Sequence, residues 1–158
     1  ILEEQLHGIM KILSRLKNVM VLFKIHPHKN DEYFLKIING YKKDLRILTK
    51  KNLNLCARKC DCLISNFQSA ASLYGALLKK PSIEMWKGIN SIYKTDISNN
   101  SKLNLVEKTK NLIDFERKLL LAINRSNSRI WKKNYYNFNK LYLNNKTSRE
   151  IVSFIKNV

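Results

Sequence analysis

Three short stretches of this 158-residue chain carry side chains suited to work on a ligand. They are His26-Pro27-His28, the run Ser65-Asn66-Phe67-Gln68-Ser69, and Glu84. An imidazole such as that of His26 can donate to a phosphate oxygen, or act as acid or base near neutrality. The hydroxyls of Ser65 and Ser69 can donate to the same kind of oxygen. The small residues that follow, Ser69-Ala70-Ala71-Ser72, would let the backbone approach an anion at a helix start. The carboxylate of Glu84 can accept from ribose hydroxyls, or pair with Lys87. Each has a plain structural alternative. His26 can be a satisfied structural residue, Ser69 a simple N-cap, and Glu84 a local ion-pair partner. His7 and His28 take no role. The chain lacks GxGxxG and GxxxxGK[ST], which excludes dinucleotide and P-loop binding by those signatures.

Cys56, Cys60 and Cys62 form a CxxxCxC pattern. It lacks the CxxC pair and further ligands that a zinc site uses. We read three reduced thiols, with Cys62 a small hydrophobe in a strand, and expect no metal.

These residues need elements to place them. Leu2, Leu6, Ile9, Met10, Leu13 and Leu16 recur at helical spacing, so 1–17 reads as an amphipathic helix. Residues 19–26 are short, apolar and β-branched, as a buried parallel strand is. Asp31 offers an N-cap to a helix holding Phe34, Ile37 and Ile38. Residues 45–48 read as a second strand, 51–59 as a short helix, and 61–66 as a third strand. Residues 69–79 read as a helix ending before Pro81, and 82–86 as a fourth strand. Strands alternating with helices predict a parallel βαβ sheet, a Rossmann-like α/β layer with flanking helices. In such sheets ligands bind at the carboxyl ends of the strands. His26, the Ser65–Ser69 run and Glu84 all fall at that rim. Residues 88–101 read as an Asn/Ser-rich connection, and 103–123 as helical. Residues 126–145 are aromatic and basic, a pattern that packs a helical layer or stacks on bases. The capping box Thr147-Ser-Arg-Glu150 opens a terminal helix. The expectation is one domain over 1–158, with a helix at 1–17, a βαβ core at 19–86 and a mostly helical tail at 88–158.

Composition narrows the class. There are 30 Lys+Arg against 12 Asp+Glu, a formal net charge of +18. That suggests an anionic partner. The excess is diffuse, however: 17 basic and 8 acidic residues in 1–101, and 13 and 4 in 102–158. Lys, Asn and Ile are all abundant, as an AT-rich coding sequence would yield. We therefore expect no specific nucleic-acid partner. With 4 Gly and 2 Pro, collagen-like and Pro-rich classes are excluded. No apolar run reaches the ~18 residues of a membrane span. The chain starts at Ile1, inside a helical pattern and without a leader, so we expect a fragment cut on its N-terminal side.

The stretches LFKIHP, DCLISNFQSAASLYGALLKKPSIEMW and the terminal TSREIVSFI resemble the C-terminal half of GT-B-type bacterial surface and capsule polysaccharide transferases. That group includes sialyl- and glycerophosphotransferase-like enzymes. The shared marks are His26-Pro27, a Ser loop before a small-residue helix, and Lys80-Pro81, all within about residues 19–86. The sequence departs from the group in three places. Gln68 stands before Ser69 where two hydroxyl residues are usual. Lys79 stands where Gly is common. No acid lies between Asp61 and Glu84.

The resemblance implies a donor-binding domain for a nucleotide-activated sugar or polyol, with a glycan acceptor and no cofactor or metal. His26 would be catalytic. Ser65, Gln68 and Ser69 would hold the donor phosphate, and Glu84 the nucleoside. The catalytic base would sit in an N-terminal partner domain. The protein would be cytoplasmic, with peripheral contact at the inner membrane face. The rivals are a UDP-sugar 2-epimerase-like isomerase, which needs an acid in the helix after the Ser loop, and a non-catalytic basic module for nucleic acid or an anionic surface.

Overall fold

The computed structural model describes residues 2–24, 31–41, 45–48, 52–88, 92–124 and 128–143. Helix α1 (Leu2–Arg15) leads to strand β1 (Val21–Lys24), helix α2 (Asp31–Asn39) and strand β2 (Leu45–Leu48). Helix α3 (Leu53–Lys59), strand β3 (Leu63–Ser65), a 3₁₀ turn (Ala70–Ser72), helix α4 (Leu73–Leu77) and strand β4 (Ser82–Glu84) follow. Then come α5 (Asn99–Lys102), β5 (Glu107–Lys108), α6 (Leu112–Ile123), α7 (Ser128–Phe138) and a π-helical turn (Asn139–Leu143).

The fold is mixed α/β, and the strand pairs among the described residues are all parallel. The expected succession of strands and helices is present, but the described strands form two sheets rather than one. Strand β1 pairs with β2, Val21 opposite Leu45. Strands β3, β4 and β5 form a three-stranded sheet in that order, with Ile64 opposite Ile83 and Ile83 opposite Glu107. Helices flank both sheets.

The core is built by the faces the sequence pattern marks. Leu6, Ile9, Met10 and Leu13 repeat at 3, 1 and 3 residues and turn one side of α1 inward. They meet Ile37 and Ile38 of α2, Ile83 of β4, and Phe115 and Leu119 of α6. Each such side chain contributes roughly 1.5–3 kcal/mol by leaving water. A second cluster joins Ala76 and Leu77 of α4 to Leu105 and to Phe138 of α7. The aromatic-basic stretch is therefore packing at Trp131 and Phe138, both buried, while Tyr136 faces solvent.

The helix expected over 103–123 starts only at Leu112. Asn111 caps it, its Oδ1 accepting from the Asp114 N–H at 2.9 Å. Leu105 and Val106 looked like part of the helical stripe. They are buried instead in the approach to β5, which adds to the open edge of β4. The 88–101 connection contains α5, and the helix expected over 69–79 is a 3₁₀ turn followed by five α-helical residues. The terminal capping box lies outside the described residues. Among them, no helix is long and apolar enough to cross a membrane.

Candidate functional site

The site is built around the carboxyl ends of β3 and β4. The strand β3 ends in Ser65, whose carbonyl accepts from the Met85 N–H at 2.9 Å. Its side chain is buried, and Ser65 Oγ has no hydrogen-bond partner among the described residues. The chain then turns through Asn66 and Phe67 to Gln68, which takes φ 60°. That left-handed backbone is uncommon outside glycine and asparagine. It aims the Gln68 N–H at Glu84 Oε1, 2.8 Å away.

Glu84 is 1% exposed. Oε1 takes the Gln68 N–H, and Oε2 takes the hydroxyls of Ser98 and, at 3.0 Å, Ser101. Its carbonyl takes both the N–H and the hydroxyl of Thr109, at 3.1 and 2.7 Å. Glu84 thus latches three segments together: the Ser65–Ser69 loop, α5 and the start of the 109–111 turn. Sequence reasoning expected this carboxylate to meet a nucleoside. Both of its oxygens are engaged inside the protein instead.

Ser69 caps the 3₁₀ turn, its Oγ accepting from the Ala71 N–H at 3.2 Å. The structural alternative for this residue is therefore real, though an accepting hydroxyl keeps its own proton to donate. Its carbonyl accepts from Ser72 Oγ at 2.7 Å and from Asn100 Nδ2 at 3.1 Å. The Gln68 N–H is spent on Glu84, and a second anion at the same donor would face that carboxyl group. Gln68 Oε1 is buried without a partner among the described residues. The Gln68 backbone N–H is thus engaged, while the hydroxyls of Ser65 and Ser69 keep protons to donate.

A cleft of about 1690 Å³ runs beside β1 and β3, and Ser65, Asn66 and Ser69 line one part of it. Cys56, Cys60 and Cys62 line another. All three thiols are free. Burial pushes the Cys62 thiol up to about 12, and raises Cys60 as well. Among the described residues, no group of His, Cys, Asp and Glu is placed to hold a metal ion.

Lys80 of the Lys-Pro pair has a structural task. Its ammonium donates to the carbonyls of Ala57, Arg58 and Cys60 at 3.1, 2.5 and 2.5 Å. These are carbonyls at the carboxyl end of α3, where a cation is favoured. Pro81 then accepts from the Leu63 N–H at 2.8 Å, setting the β3–β4 register.

His26, with Pro27 and His28, lies outside the described residues. Ser65, Gln68, Ser69 and Glu84 are brought together as expected of one rim. Sequence reasoning missed Ser98, Asn100 and Ser101, which hold the loop from the far side. Their only local signal is a serine N-cap: Ser98 Oγ accepts from the Ser101 N–H at 3.0 Å. Comparison of the chain with family models, with curated proteins and with solved structures returned no match.

Proposed function

We propose that this chain is the nucleotide-donor-binding half of a GT-B-type transferase of bacterial surface polysaccharide synthesis. In this reading a sugar or polyol phosphate leaves a nucleotide-activated donor for a glycan acceptor. The observation that carries it is the Ser65 hydroxyl: buried, without a partner among the described residues, at the carboxyl end of a parallel strand and on the cleft wall. Ligands of parallel α/β sheets bind at that end. The sequence resemblance in residues 19–86 supports the same reading, and so does the mixed α/β fold.

The Ser65 and Ser69 hydroxyls donate to the donor phosphates. His26, in the segment after β1, stabilises charge on the leaving phosphate, an effect that is often a large share of catalysis. Glu84 acts as a positioning residue that holds the Ser loop. The catalytic base belongs to the partner domain. The reading puts the protein in the cytoplasm, at the inner face of the membrane.

Calorimetry with UMP, UDP, CMP, CDP and GDP tests this. We expect selective binding of one uridine or cytidine nucleotide, lost in His26→Ala. In Ser65→Ala the loss of one hydrogen bond to a charged group, about 1.5–3 kcal/mol, should weaken binding roughly tenfold or more. A chain that binds none of these, or only single-stranded DNA with steep salt dependence, is not a donor domain.

A further inference from the structure

We propose that the cleft also binds a single-chain amphiphile with a phosphate head, at the end lined by α1, α6 and α7. The cleft, at about 1690 Å³, exceeds the roughly 300–1,000 Å³ of ordinary small-ligand pockets. Where α1 and α6 line it, the wall includes the aliphatic side chains of Met10, Leu13 and Leu119. Three large apolar residues that line it stay open to water: Met20 at 48%, Ile123 at 37% and Ile64 at 36% exposure. They come from three different parts of the chain. Apolar surface gathered on one hollow marks a binding groove more often than chance. An aliphatic body would cover it.

The head group is specified by the polar groups at the same end. Trp131 of α7 lines the cleft, is 7% exposed, and its Nε1–H has no partner among the described residues. An indole N–H can only donate, so what meets it carries an acceptor. Its neighbour Lys132 lines the cleft too and is exposed. So does Lys79, whose ammonium sits 4.4 Å over the Tyr135 ring. With Lys80 spent on the α3 carbonyls, Lys79 and Lys132 are the cations that line the cleft beside Tyr135 and Trp131, and Asp61 is the one carboxylate among the described lining residues. The acceptor is therefore anionic. An aliphatic chain bearing a phosphate satisfies both the apolar wall and the donors beside it. Trp131, Lys79 and Lys132 hold the head group rather than the Ser65 rim, so this binding does not depend on nucleotide binding there.

The test uses the full chain and dodecyl phosphate kept below its micelle concentration, with inorganic phosphate and dodecanol as separate arms. The chain has two tryptophans. Two indole N–H cross-peaks are thus expected in a proton–nitrogen spectrum, and Trp86→Phe assigns them. We expect one-to-one saturable binding of dodecyl phosphate, a downfield shift of the Trp131 indole N–H, and affinity at least about tenfold above either arm. Trp131→Phe keeps an aromatic ring and removes the donor, and should weaken binding about tenfold. If that variant does not fold, the spectrum of the native chain decides. An unmoved Trp131 peak, the absence of saturation, or dodecanol binding as tightly overturns the proposal. Inorganic phosphate that saturates the same shift at equal affinity removes the aliphatic body from it.

Discussion

Glu84 shows how much a single buried carboxyl group can organise. The Gln68 N–H and the Ser98 and Ser101 hydroxyls all point at it. Truncation would leave those donors without partners in a buried setting, at about 1–3 kcal/mol each when water cannot reach them. Glu84→Ala should therefore lower the unfolding free energy by about 3 kcal/mol or more. Glu84→Gln should cost less, because an amide oxygen still accepts the Gln68 N–H. Urea unfolding reads both, and an alanine variant within about 0.5 kcal/mol of the native chain would show that the latch is not tight. Cys62 makes a second residue-scale prediction, in pH. Burial raises its thiol from the ordinary value of 9.0 to about 12. A group raised in the folded state stabilises it fully below the unfolded value. That contribution is then lost as pH climbs from about 9 toward about 12. Thermal unfolding across that window should show native stability falling with pH, and the fall should shrink in Cys62→Val. An unchanged slope would mean that the thiol is not desolvated.

At the scale of elements, the turn from α4 into β4 is where the chain is most tightly drawn. The Lys80 N–H returns to the Gly75 carbonyl at 2.8 Å and the Lys79 N–H to that of Ala76 at 3.3 Å, with Lys79 at φ 57°. This is a Schellman closure with lysine in the position glycine usually takes. It lays α4 directly on β4: a Cβ at Gly75 would lie 2.2 Å from Ser82 Cβ. Ser82 cannot swing away, since the contact is to its Cβ and its Oγ donates to the Ser72 carbonyl at 2.9 Å. Gly75→Ala should then destabilise by the overpacking cost of about 1–3 kcal/mol. It should also loosen the Ser loop that α4 follows. Native-state hydrogen exchange at 68–77 measures this, and protection equal to the native chain would mean that the helix can shift without penalty. Across the turn, Lys80 fastens the end of α3 to the start of β4. The Lys-Pro pair thus acts on register, at the end of the sheet away from the ligand rim.

At the scale of the whole molecule, a formal charge of +18 is spread over both halves of the chain. At physiological ionic strength, screening over about 8 Å keeps most of that self-repulsion local. The stability of the fold rests on its two apolar clusters. Those clusters were legible in the sequence, because helical periodicity reports which side of α1, α2 and α6 avoids water regardless of what it packs on. Strand positions were legible for the same reason: 45–48 matches β2, and 61–66 and 82–86 bracket β3 and β4. Local chemistry also marked Ser69 as an N-cap. Periodicity failed at Leu105 and Val106, where apolar spacing fits a helix but the open edge of β4 recruits a strand. The partners of Glu84 could not be read locally either. Ser98 and Ser101 lie 14 and 17 residues away, in a stretch whose composition marks a connection. The sequence by itself determined which residues avoid water and which backbone each stretch prefers, since both are properties of short windows. The tertiary structure alone decided where each polar group finds its hydrogen bond. That choice is made between segments brought together by packing, and it made Glu84 a latch while leaving the Ser65 and Trp131 donors without a partner among the described residues.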